Sequence, residues 1–478
     1  MMRAFNDWQS LLTEYDDSVS SDMNVDPLGM LVIWSAYGQK IFRNRISSIS
    51  NDVRNFTINL FNHAVIRQVM EDDDIALAAA LLREKDYAGY GKQALPFRQA
   101  CLVYLENLYA FSMVAAEARP IPGLATGGVL GIAKARRDWR AHDNNPELLF
   151  SHRKEAHVLV RQHSLGISGR YKTPLVQMGF FDHRYDSRAA NCQALWDKVE
   201  TMLFGRWPAL AALKKMAVMH LKEVVATPNA PPRIRLDAIP RALRNSFVAT
   251  FRSPQAVGQH ARDFWLEVSE LNRGAAGALY AVLQQEWRVD GTSDAGRKPA
   301  EIFAEARKMP GFGAAAQAQL EHVMLLEPLL GELDLLMTIM LSAKSQTLDD
   351  VERQWRHAGR NAQTLQRISA PVAANAAMLA EASGTTAARL RKLLALAGEV
   401  TLHDQVRHLL TYHEEVMQAR RQSPWLRLSA RQELKSDVGV RTVPDQVAPP
   451  GTRWVHRYYL PQFRVLLAGL RGEEHEAA

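Results

Sequence analysis

Apolar residues recur at three- and four-residue spacing along most of the chain, beginning with Leu28 to Phe42 and Val53 to Met70. The stripe is clearest from Leu95 to Ala116, where Leu95, Cys101, Leu102, Leu105, Leu108, Tyr109, Ser112 and Met113 share one helical face. Residues 1–118 therefore read as a helical domain. Arg119 to Gly128 holds two prolines and three glycines in ten residues and breaks any helix, marking a domain boundary or a functional loop. Residues 119–232 form a Gly- and aromatic-containing central region in which helix resumes from Leu195 to Ala226. A second breaker at Thr227 to Pro232 introduces a helical domain over 233–370, periodic from Ser253 to Arg288 and Ala300 to His357, with a polar loop at Asp290 to Lys298. Residues 371–478 continue as Ala-rich helix to Arg421. Three β-branched and aromatic runs, Trp425–Leu428, Val438–Val443 and Trp454–Tyr459, then predict strands. The expected fold is mainly α and multi-domain, with a small β-containing C-terminal element.

At 478 residues the chain is longer than one core usually organises, and 47% hydrophobic with 23% charged residues is ordinary globular usage. Two cysteines, Cys101 and Cys192, cannot staple such a length and show no metal-ligand spacing, which suits a reducing cytoplasm. The N-terminus carries Asp7 and Trp8 where an export signal needs cationic and apolar runs. The most apolar segment, Val323 to Ala343, is interrupted by Glu327, Glu332 and Asp334, so it reads as a buried helix pair and no membrane contact is expected.

The net charge of +7 is unevenly spread. Residues 1–74 hold 6 basic and 11 acidic side chains, including the run Glu71 to Asp74, whereas residues 134–188 hold 11 and 6, and residues 189–298 hold 15 and 10. A positive centre follows an acidic N-terminal region. Such a field attracts phosphate backbones, and arginine outnumbers lysine nearly three to one, which favours planar anion recognition.

Two segments carry motif-like chemistry. Leu379 to Leu394 reads as helix, turn and helix, with Ala380 at the crossing, Gly384 in the turn, Thr385 or Thr386 as cap and Leu390, Leu393 and Leu394 facing inward. Over about twenty residues the segment resembles helix-turn-helix DNA readers. That resemblance implies that Arg389, Arg391 and Lys392 reach bases and phosphates; an Ala-rich hairpin packed for its own sake gives the same spacing. The second segment, Val158 to Asp182, offers either a helix bearing Arg170, Tyr171 and Lys172 or a Gly-rich loop whose amides cradle a phosphate, with Tyr171, Phe180 and Phe181 stacking or filling a core.

Catalytic signatures are sparse. No phosphate-binding Gly-x-x-x-x-Gly-Lys-Ser/Thr occurs, and Gly166-Ile-Ser-Gly169 is one residue short of a nucleophile elbow. His403, Asp404, His408 and His413 do not share one helical face, so no metal and no cofactor is expected. Glu433 and Lys435 have the spacing of an Mg²⁺-dependent nuclease fragment, with Asp404 as the upstream acid. The function expected is a non-catalytic cytoplasmic DNA-binding recognition or adaptor subunit of a prokaryotic multi-protein system such as genome defence. Its expected partners are double-stranded DNA and the proteins of that assembly. The alternatives are the nuclease and a helical interaction scaffold.

Overall fold

The computed structural model describes residues 26–87, 90–228, 231–290 and 297–472. Over these the chain is mainly α-helical with two small antiparallel sheets. Counting α-helices of six residues or more, the chain opens with α1 (Leu31–Phe42), α2 (Val53–Glu71), α3 (Leu95–Ala116), α4 (Ile132–Ala141), β1 (Glu147–Leu149), α5 (Lys172–Met178), α6 (Ala190–Lys198) and α7 (Pro208–Ala226). It continues with β2 (Arg233–Arg235), α8 (Arg241–Phe251), α9 (Pro254–Ser269), α10 (Gly274–Asp290), α11 (Pro299–Lys308) and α12 (Gly313–Met340). Then come β3 (Ser345–Thr347), α13 (Leu348–His357), α14 (Thr364–Ala374), α15 (Ala376–Glu381), α16 (Gly384–Ala397), α17 (Leu402–Ala419), β4 (Leu426–Leu428), β5 (Glu433–Ser436) and α18 (Leu460–Leu470).

Among the described residues, a first compact unit comprises 43–271 with 461–472, and a second comprises 26–42 with 272–460. The Gly/Pro breakers at 119–128 and 227–232 thus fall inside the first unit. The chain passes between units beside non-glycine residues with left-handed backbone: Arg43 and Asn44, Glu270, and Tyr458 and Tyr459. Composition does not mark such crossings. Residues 1–25 of the acidic N-terminal stretch, and 291–296 of the expected polar loop, lie outside the described residues.

In the first unit, α3 is buried on nearly every face from Phe97 to Val114, with α2, α4 and α8 packed around it. Inward polar groups in its middle are bonded across the unit, as burial demands. Tyr104 Oη lies 2.8 Å from His220 Nε2, and Asn107 Nδ2 donates to Ala156 O at 2.8 Å. The Pro/Gly loop after α3 is pinned by the fully buried Arg54 of α2, whose guanidinium donates to Ala125 O and Gly127 O at 2.5 Å each. Gly128 has φ +78°, and a Cβ there would meet Arg54 Nη2 at 3.0 Å, so this turn requires glycine. The loop hands the chain to α4. β1 and β2 close the unit as a short antiparallel ladder, Leu148 opposite Ile234, that the sequence pattern did not predict.

In the second unit the apolar run expected to form a helix pair is part of one 28-residue helix, α12, which carries Pro328 internally. The acids that interrupt the run are its internal struts. Glu327 accepts from Trp34 Nε1 at 2.6 Å, Tyr458 Oη at 2.8 Å, His456 N at 2.8 Å and Val455 N, while burial pushes its carboxyl up to about 7. Glu332 takes both Nε and Nη2 of the buried Arg360, at 3.0 and 2.9 Å. No helix among the described residues is long and apolar enough to cross a membrane. The C-terminal sheet has order β3-β5-β4, with Gln346 opposite Leu434 and Arg427 opposite Lys435. Of the three runs predicted as strands, only the first contributes one. Val438–Val443 is irregular, and the aromatic side chains of Trp454–Tyr459 are spent around Glu327 and Phe303, with His456 stacked on Trp34 at 5.3 Å.

Candidate nucleic-acid interface

The helix-turn-helix segment folds as two helices, α15 and α16, with Gly384 at φ +50° as expected. Its details differ from the sequence reading. Ala380 is exposed, and Met378 is the residue driven inward, its carbonyl accepting from Tyr37 Oη at 2.9 Å. Ser383 stands at the N-cap, Thr386 is buried, and the inward face of α16 is Leu390, Leu393, Leu396 and Ala397, with Leu394 half-buried. Arg389 turns into the unit, where Nη1 donates to Gly29 O at 2.6 Å, and Lys392 pairs with Glu415 of α17. Arg391 is exposed and bonds Ala387 O of its own helix at 3.3 Å.

The loop around Gly166 does cradle an acid, but it is the chain's own Glu106, whose carboxyl burial pushes above its ordinary range. Ser168 N donates to Glu106 Oε1 at 2.6 Å, Gln162 Nε2 donates to Oε2 at 3.1 Å, and a Cβ at Gly166 would come within 2.4 Å of Oε2. Tyr171 is 1% exposed, its hydroxyl accepting from Asp52 N at 3.1 Å, and Phe56 meets its ring edge-on. It therefore fills core and has no face for a base. Arg170 and Lys172 are half-buried, the ammonium of Lys172 lying 4.3 Å from the Tyr185 ring centroid.

Further basic side chains stand where α4 and α8 pack on α3. α4 begins at Gly131 (φ +84°) and buries only Ala135, so Lys134, Arg136, Arg137 and Arg140 and the half-exposed Trp139 line its outer surface. Arg136 grips Glu117 at the end of α3 through both carboxylate oxygens, and with Thr126 it holds that carboxyl below its ordinary range. Arg140 acts on Glu117 in the same direction. Two residues on, Arg119 adjoins the start of α8. There burial first, then the like charges of Arg119 and Arg241, lower the pKa of Arg244, against a smaller opposing pull from Asp237. Basic side chains thus stand on α4, beyond the end of α3 and at the start of α8, with Glu117 among them. The sequence signal for them was Arg136, Arg137 and Arg140 around Trp139, which periodicity alone does not distinguish from a solvated helix.

The C-terminal histidines do not converge. Thr401 caps α17, its hydroxyl accepting from Asp404 N at 3.1 Å and donating to the Asp404 carboxylate, which also binds Arg407; His408 lies 3.1 Å from Glu399, and His413 is buried between Pro27 O and Trp425 N. His403 Nε2 instead stands 3.4 Å from carboxylate oxygens of both Asp349 and Glu352 of α13. Glu433 and Lys435 share the outward face of β5, while Asp404 is committed to Thr401 and to Arg407.

Comparison with protein-family models, with characterised proteins and with solved structures finds no match to the chain.

Proposed function

We propose that the chain is a non-catalytic DNA-binding protein, a recognition or adaptor subunit of a larger assembly, that holds duplex phosphates on the α4–α3–α8 band. The observation that carries this reading is the set of basic side chains on the outer surface of α4, together with Arg119 and Arg241 near Arg244 at the start of α8. Concentrating cations on one surface costs folding energy, and a polyanion relieves that cost. Arginine suits the role because its planar fork meets phosphate oxygens two at a time. Trp139 adds an apolar surface for sugar or an exposed base. Arg391 supplies an exposed charge on the second unit, whereas Arg389, Lys392 and Tyr171 serve the fold. The test is equilibrium binding of a labelled random-sequence duplex to the protein and to the triple variant Arg137→Ala/Arg140→Ala/Arg241→Ala. All three side chains are exposed, so the fold is retained while affinity falls at least tenfold. Equal affinity in the folded triple variant refutes the assignment of the band.

A further inference from the structure

A second site in the first unit faces a different chemistry. Between α2, the start of α3 and the segment leading into α6 lies a small open cleft, lined by His63, Ile66, Arg67, Met70, Arg98, Phe181, Tyr185 and Trp196 among others. Two of its charged and polar residues are nine-tenths buried yet incompletely bonded. Arg98 is 7% exposed; Nη1 donates to Arg184 O at 3.2 Å, while Nε is buried with no hydrogen-bond partner. His63 is 6% exposed, its ring between Phe181 (4.2 Å) and Tyr185 (5.1 Å), and its Nε2 is likewise buried without a partner. Buried polar atoms are nearly always satisfied, and two lining one cleft point to an absent acceptor.

The neighbouring charges say what that acceptor is. Arg67 is engaged by Glu71 and Gln193 at 2.8 Å each and covers the Trp196 ring, and Arg188 is held by both oxygens of Asp186. Those pairs are self-neutralised. Arg98 and the nearby Lys172 are two cations that share the one further acid, Asp182, and the free edge of Arg98 is the Nε edge, the one that takes a carboxylate in two parallel bonds. Ile66, Met70 and Phe181 supply an apolar wall beside it.

We propose that this cleft binds a small organic carboxylate, its two oxygens on the Nε edge of Arg98 and on His63 Nε2–H, its flat apolar body against Ile66, Met70 and Phe181. The site is separate from the DNA-binding band, and loss of either reading leaves the other standing. The test is isothermal titration of the full chain with benzoate and phenylacetate, with acetate and inorganic phosphate as comparisons. Benzoate or phenylacetate binds, acetate at least tenfold more weakly for want of a body, and phosphate more weakly than both. Arg98→Lys keeps the charge but loses the bidentate edge, so affinity falls about tenfold or more. Met70→Trp fills the cleft from the half-buried end of α2 and abolishes binding in a protein with unchanged circular dichroism. This second variant decides the matter if Arg98→Lys fails to fold. No binding of either aromatic acid to the unaltered protein, tighter binding of phosphate, or undiminished binding in the folded Met70→Trp variant overturns the proposal.

Discussion

His63 and His220 are both held neutral by the helices around them, and they set how the first unit responds to acid. Burial depresses His63 to about 3, with Lys172 and Arg98 adding to the effect, and burial depresses His220 to about 4. A base whose folded pKa lies below its unfolded one binds its proton more readily in the unfolded chain. The stabilisation from each is therefore whole above about pH 6.5. It drains as the pH falls towards the folded values. Between pH 7 and 5 each histidine costs roughly 2 kcal/mol. Urea unfolding at the two pH values shows this loss, and His220→Gln, which keeps a partner for Tyr104 Oη, removes about half of the share contributed by the pair. An unchanged pH difference in that variant contradicts the assignment. These residues also show what periodicity hides. His63 on α2 and Glu106 on α3 occupy inward positions in stretches whose apolar spacing was read correctly, but a polar residue on an inward face announces neither its partner nor the lack of one.

The helices were legible wherever one face is apolar and the ends are punctuated, as for α3, whose observed bounds Leu95–Ala116 coincide with the expected ones. Strands were legible only in part: β4 falls in the expected run Trp425–Leu428, but the others, of three or four residues each, carry no such run. The α15–α16 turn is the sharpest case. The spacing located both helices and the left-handed Gly384, but a six-residue helix can rotate freely against the pattern, and Met378 rather than Ala380 took the inward position. Ala380→Leu therefore changes stability by less than about 0.5 kcal/mol, whereas Met378→Ala costs about 2 to 5 kcal/mol. Chemical denaturation of both variants checks the pair, and the reverse ranking contradicts the observed packing. At the crossing of α9 and α18 a Cβ on Gly258 would stand 1.9 Å from Gly469 O. Gly258→Ala must separate two backbones, costing about 1 to 3 kcal/mol or more, visible as a lowered Tm of the first unit.

On the scale of the whole chain, length and charge together anticipated more than one compact body and a positive centre, yet not the way the chain is shared between the bodies. Each unit is built from discontinuous segments, and residues 26–42 and 461–472 return to cores assembled mainly from distant sequence. No local composition reports that. Of the six residues singled out for nucleic acid, Tyr171 lies in a core and Arg389 and Lys392 are engaged within the second unit, while the arginines of α4 and α8 lay within the basic stretches without a motif to flag them and Arg119 lay outside those stretches. A band of that kind binds by releasing counterions, so its signature is the dependence of affinity on salt. The decisive measurement is the affinity of the unaltered protein for a random-sequence duplex across a salt series. The log–log slope should be steeper than about −3, at near −0.9 per neutralised phosphate, and the Arg137→Ala/Arg140→Ala/Arg241→Ala variant should be shallower by about 2 to 3. A flat response, or no binding even at low salt, contradicts DNA binding by this chain.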